Sequence, residues 1–409
     1  MCSANSHGPR EGVYPSADPQ SRLGLSPRRS MMIDHRTRTI ATALRVTLAA
    51  CATIAMIGCA TKPNRGIEPT REGKIERSNV LGSLELGPAL EERILALDPE
   101  HVSDDDVRST LAAGPTPRII LVHASVYPVY LIMTSFATFL EGMGYPGAKI
   151  RDPVDGAYSQ SPYGSSERLA GEIAWHYEHD GVRPLIIGHS QGGMQAIKVL
   201  YRLAGAFDPK VAVWNAETDT AERRFTIIDP LDGAERPVVG ISVAYAAAVG
   251  AGGAAFVLPN QWDMFFRLRT IPDTVDEFTG FAIQGDMVAW TFPGMSDMSQ
   301  YHGGVAKVRN VVLPVTYNHI MVPITHTLAV DAKTRDWINA YVPGNADKTA
   351  APSGVSGYNI LWAADVWFSI KKHWCLEAQR LIHAKQAADV SVKRREGERS
   401  DKYDRSWSQ

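Results

Sequence analysis

The chain has little cysteine, little net charge and no long apolar run. Only four cysteines occur in 409 residues, and three of them, Cys2, Cys51 and Cys59, lie in the first sixty. That leaves Cys375 alone further on, so an internal disulfide framework is not expected. The formal net charge is -2, so no basic excess points to nucleic acid. The apolar stretch near the N-terminus, Val46–Ile57, is too short to span a bilayer comfortably. There is no phosphate-cradling glycine loop and no dinucleotide fingerprint. His176 and His179 lack the H-E-x-x-H spacing of a zinc protease. Neither a metal nor a cofactor is expected.

What is present begins with a leader. Arg36, Arg38 and Arg45 precede the apolar stretch, and Gly58-Cys59 and polar Thr61-Lys62-Pro63-Asn64 follow it. A basic region, a short apolar region and small residues before a cut site make an export signal. Met56-Ile57-Gly58-Cys59 resembles the lipobox of bacterial lipoproteins, which implies a lipid on Cys59. Leu48-Ala49-Ala50-Cys51 is the competing site, but leaves almost no apolar run after Arg45. Met31 or Met32 is a natural start for such a signal. The expected location is therefore a bacterial envelope, held at the membrane by the N-terminal lipid. Residues 1–58 are read as leader and 59–114 as an N-terminal arm. Within that arm, Pro88–Leu97 and Ser103–Ala113 have helical composition.

From Pro117 the pattern alternates strand and helix. Ile119-Ile120-Leu121-Val122 and Leu185-Ile186-Ile187 are short continuous apolar runs, as buried parallel strands are. Helices are expected over Val129–Gly142, Ser166–His179, Gly192–Leu203 and Thr325–Tyr341. Further strands are expected at Ala148–Arg151, Val238–Tyr245, Gly280–Gln284 and Val308–Val315. A hairpin insertion is expected over Phe225–Val239, around its Asp-Pro and Asp-Gly pairs. This alternation predicts an α/β fold with a mostly parallel sheet and helices on both faces, over residues 115–345. Residues 346–389 read as a linker and an amphipathic helix, with docking on the domain favoured over a membrane surface. The charged segment 390–409 reads as disordered.

Gly188-His189-Ser190-Gln191-Gly192-Gly193 carries the chemistry. It fits G-x-S-x-G, follows an expected strand and opens an expected helix. Such a turn forces a serine hydroxyl out above the sheet, and the glycines on either side let strand and helix approach. On this motif the chain resembles the α/β-hydrolase superfamily, particularly its lipases and esterases.

The resemblance implies Ser190 as nucleophile, then an acid, then a histidine. Asp286, after the Gly280–Gln284 strand, and His319, after the last strand, match that order. Asp276 and Asp297 compete for the acid, and His302 and His326 for the base. It also implies an oxyanion hole from the main-chain N–H groups of Gln191 and Ser125. Ser125 stands in His123-Ala124-Ser125, where Ala124 replaces the family's usual glycine.

A cap insertion is expected in the apolar stretch Phe256–Leu268, either binding an acyl chain or simply packing. The implied activity is ester hydrolysis through an acyl-enzyme, with a small-molecule or lipid ester as substrate. A thioesterase, amidase or polyester hydrolase, or a catalytically silent binding protein, would use the same fold.

Overall fold

A computed structural model describes residues 80–125, 127–291, 299–344 and 359–407. The leader and both candidate lipidation cysteines, Cys51 and Cys59, lie outside them, as do Asp297 and the whole 346–358 linker.

Five strands form one parallel sheet: β1 (Ile119–Val122), β2 (Leu185–His189), β3 (Val243–Val249), β4 (Val275–Ile283) and β5 (Lys307–Leu313). They lie side by side in chain order. Parallel neighbours require crossovers, so the sheet is covered on both sides and its strands are apolar on both faces. Alternation along each strand divides the core in two.

Ile119, Leu121, Leu185, Ile187, Tyr245 and Phe281 face one cluster. There they meet Met133 and Phe136 of α3 (Tyr127–Gly142) and Trp362, Trp367 and Trp374 of a C-terminal helix. Ile120, Val122, Ile186, Ala246 and Phe278 face the other. There they meet Leu169 and Ile173 of α4 (Ser166–Asp180) and Met194, Ile197 and Leu200 of α5 (Gln191–Leu203).

The expected arm does not stand apart. Helices α1 (Pro88–Ala96) and α2 (Asp104–Ser109) bury Ile94 and Val107 in the first cluster. Helix α2 starts at a capping box, with Ser103 and Asp106 satisfying each other's main-chain N–H groups. The C-terminal helix, which follows α6 (Ala332–Ala340), is α7 (Ile360–Trp407). Trp362, Trp367 and Trp374 of this helix are fully buried. The boundaries expected near residues 115 and 345 thus separate no packing units, because the arm and α7 complete the core on one face.

Other expectations also change. The tail predicted to be disordered from Val390 continues α7 as far as Trp407. It contains no proline, and the chain enters it already helical, so each added residue only extends an existing helix. Ala148–Arg151 is not a strand; Gly147–Lys149 forms a single 3-10 turn after Pro146. The helix expected over Thr325–Tyr341 breaks into a 3-10 turn, His326–Ala329, and α6. Asp331 makes the break: its side chain accepts from the Thr334 N–H at 2.8 Å and caps α6. The hairpin expected near Asp229 does form, pairing Thr226–Ile228 with Glu235–Pro237.

Candidate active site

The reactive side chains gather where the parallel strands end. Ser190 follows β2 directly, with φ 54° and ψ −118°. A non-glycine residue in that region is strained and persists only where its surroundings enforce it. Here the Ser190 N–H donates to the Val249 carbonyl at 2.8 Å, while α5 starts at once on the other side. The glycines of the elbow are required by contact. A Cβ on Gly188 would lie 2.2 Å from the Gly192 carbonyl oxygen. One on Gly192 would lie 2.2 Å from the Val122 carbonyl oxygen. Both obstacles are backbone and cannot move aside.

Asp286 lies in the turn after β4 and His319 in the turn after β5. Ser190 Oγ is 2.8 Å from His319 Nε2, and His319 Nδ1 is 2.6 Å from Asp286 Oδ2. A carboxylate can only accept, so Nδ1 carries the hydrogen and Nε2 is left to accept from the serine hydroxyl. Asp286 Oδ1 accepts from the Val288 and Ala289 N–H groups at 2.9 and 3.1 Å. Burial works to raise the Asp286 carboxyl. The His319 hydrogen bond and charge and the two N–H groups outweigh it, so Asp286 lies below the ordinary carboxylate value and stays ionised. All three residues are buried to within 9% exposure, with the hydroxyl and imidazole at the edge of solvent.

The competing residues lie elsewhere. Asp276 starts β4, at the opposite end of the sheet, and pairs with Arg183. His302 is exposed on a two-residue strand. His326 Nδ1 meets Ser135 Oγ at 2.8 Å. That hydroxyl also accepts from the Thr325 and His326 N–H groups, so it caps a turn.

Two main-chain donors face no acceptor among the described residues. Gln191 is the first residue of α5, where an N–H has no intrahelical partner. Neither its N–H nor that of Ser125 donates to a described main-chain or side-chain acceptor. Ala124 departs from glycine without strain, because it is not among the positive-φ residues.

Two contacts at the site are not evident from the motif. His189 donates from Nε2 to the His319 carbonyl at 2.7 Å. Complete burial, with the nearby His319, pushes its ring down to about 3, so it remains neutral. Gly250, at φ 61°, passes beneath the His319 ring; a Cβ there would sit 2.9 Å from Nδ1. The glycine-rich run Gly250-Ala251-Gly252-Gly253 was the available signal. Trp290 adopts φ 58° four residues after Asp286 and is half exposed.

The apolar stretch between β3 and β4 divides. Met264 and Leu268 are buried, whereas Val257, Trp262, Phe265 and Phe266 are exposed. Among the described residues, no three His, Cys, Asp or Glu side chains form a metal-binding group. No described helix is long and apolar enough to cross a membrane.

No family model and no curated protein matches the chain. Among solved structures, it is distantly similar to a protein of unknown function from Agrobacterium tumefaciens, described as a putative alpha/beta hydrolase. The identity is 14%, over 55% of this chain and 85% of that one, with a TM-score of 0.28. It is also similar to RedJ, whose structure has a PEG molecule bound in the active site. That identity is 14%, over 56% of this chain and 92% of that one, with a TM-score of 0.24.

Proposed function

We propose that this chain is a serine hydrolase of the α/β-hydrolase type that cleaves carboxylic esters. The observation carrying this reading is the continuous Ser190–His319–Asp286 hydrogen-bond chain, with the serine in a strained turn. A hydroxyl is a weak nucleophile until a base accepts its proton, and the base works best when an acid fixes its tautomer.

On this reading Ser190 Oγ bonds to the ester carbonyl carbon while its proton passes to His319 Nε2. The oxyanion is held by the N–H groups of Gln191 and Ser125. The tetrahedral intermediate collapses, the alcohol leaves with the proton from His319, and an acyl-serine remains. Water then repeats the attack, giving up its proton to His319; the second tetrahedral intermediate collapses, the acid is released, and His319 returns the proton to Ser190 Oγ. These steps balance without a cofactor. The exposed Val257, Trp262, Phe265 and Phe266 support an apolar acyl group.

A series of p-nitrophenyl esters of increasing chain length tests the activity. Ser190→Ala should remove turnover in a sample that melts like wild type. Turnover retained by that variant would falsify the nucleophile assignment.

The leader motivates a second part of the proposal: the mature chain begins at a lipidated Cys59 and is held at a bacterial membrane. Intact-mass analysis of membrane-extracted protein tests it. An unmodified N-terminus would end this part and leave the hydrolase reading standing.

A further inference from the structure

Gln191 is fully buried, yet its side chain is polar and sits beside the nucleophile. Its Oε1 accepts a short hydrogen bond from Ser125 Oγ. Its Nε2 donates to Asn260 Oδ1 at 3.4 Å. Asn260 belongs to the turn Pro259–Met264 in the apolar stretch, and its own Nδ2 donates to the Pro162 carbonyl at 3.3 Å. Two turns along α5, Lys198 Nζ donates to the Asn260 carbonyl at 2.7 Å and pairs with Asp263 at 2.8 Å. The first turns of α5 thus grip both the loop after β1 and the segment after β3.

The Ala124–Ser125 peptide is held from its other side as well. His123 Nδ1 lies 2.7 Å from the Ala124 carbonyl oxygen, which can only accept. A trans peptide is planar, with its C=O and N–H directed oppositely. Fixing the carbonyl against His123 therefore fixes the direction of the Ser125 N–H. A peptide that rotated here would withdraw one of the two oxyanion donors.

We propose that the Gln191 side chain is a positioning residue. By binding the Ser125 hydroxyl and Asn260, it holds the second oxyanion donor in place and ties its loop to the Pro259–Met264 segment. This rests on the hydrolase reading and adds a role the elbow motif does not specify. The Gln191 main-chain N–H is kept in any substitution, so side-chain variants isolate the brace.

The test uses full-length protein and a short soluble ester. Gln191→Met keeps length and removes the acceptor; Ser125→Ala removes the donor; Ser125→Thr restores a hydroxyl. Loss of one oxyanion donor costs about 10²–10³ in kcat, so a loosened donor should cost about 10–100-fold. The expected result is that fall in kcat for Gln191→Met and for Ser125→Ala, with KM little changed. The double variant should be no slower than the slower single, because both remove one bond. Ser125→Thr should stay near wild type.

An unchanged kcat in Gln191→Met, or effects that multiply in the double variant, would overturn the brace. If Gln191→Met fails to fold, the contrast of Ser125→Ala with Ser125→Thr decides: equal kcat in the two overturns it. Wild type lacking any Ser190-dependent turnover would instead overturn the hydrolase reading, and the brace with it.

Discussion

At the C-terminal ends of β2, β4 and β5, one hydroxyl, one imidazole and one carboxylate form a single line of hydrogen bonds, and the Gln191 and Ser125 N–H groups nearby have no acceptor among the described residues. At the N-terminal ends of the same strands, charge is used differently. Arg183 bridges Asp276 and Glu377, Lys372 joins Glu277 to Glu100, and Arg309 pairs with Asp365 at 2.6 Å. Asp365, Lys372 and Glu377 all come from α7. At one end of the sheet the polar groups meet one another in the loops after the strands; at the other they are paired largely with a helix. The lesson is that burial of polar groups does not by itself mark a site. What distinguishes the candidate site is strain at Ser190 together with the line of hydrogen bonds from Ser190 through His319 to Asp286.

The sharpest way to break this comparison is at the base. His319→Ala should lower turnover by about 10⁴-fold or more, as loss of a triad member does when the members act as a unit. His326→Ala, which only disturbs a capped turn, should change turnover by less than about tenfold. If His326→Ala is the inactive variant, the base has been wrongly assigned.

The next contrast moves to the other end. Asp365→Ala removes the nearest carboxylate from Arg309, which is a quarter exposed and keeps Glu277 at 3.8 Å, so the loss should fall below the about 3–5 kcal/mol of a fully buried pair. Thermal or urea unfolding should show that loss, while kcat per folded molecule stays close to wild type. A stable Asp365→Ala protein with impaired kcat would mean that the two ends are not separate in function.

A smaller effect should appear with pH. Burial works to raise the Glu277 carboxyl, but His373 and Lys372 overcome it and pull it down to about 2 from an ordinary value of 4.5. A carboxyl depressed in the folded state stabilises above its unfolded pKa, and that contribution is lost as pH falls through the folded value. Stability should therefore decline between about pH 4.5 and 2, and Glu277→Gln should flatten that part of the profile. A variant whose melting temperature falls as steeply over this window as wild type would show that Glu277 is not the group responsible.

The two ends also differed in how far they could be read in advance. Ser190 was legible because a strand, two glycines and a helix lie within a dozen residues, so the elbow is a local pattern. Asp286 and His319 were legible only through chain order and placement after a strand. Their 2.6 Å contact joins residues 33 apart, and nothing local favours Asp286 over Asp276. His189, Gly250 and the Gln191–Ser125 bond escaped because each depends on two loops meeting.

Helix α7 was legible as an amphipathic helix docked on the domain, but the depth of its burial and its polar partners were not. Its partners Arg183, Glu277 and Arg309 precede it by 56 to 194 residues. A helix that buries Asp365, Lys371, His373 and Glu377 among three tryptophans does not present a simple apolar stripe. The end of α7 was missed because a charged composition was read as disorder, although a chain already helical extends easily.

The central claim is that Ser190 is a nucleophile activated by His319. Labelling with a fluorophosphonate, followed by peptide mass mapping, tests it most directly. The account predicts one adduct on Ser190, absent in Ser190→Ala and slowed by orders of magnitude in His319→Ala. A folded wild-type protein that takes up no label, or carries it on another residue while Ser190 stays free, would contradict it.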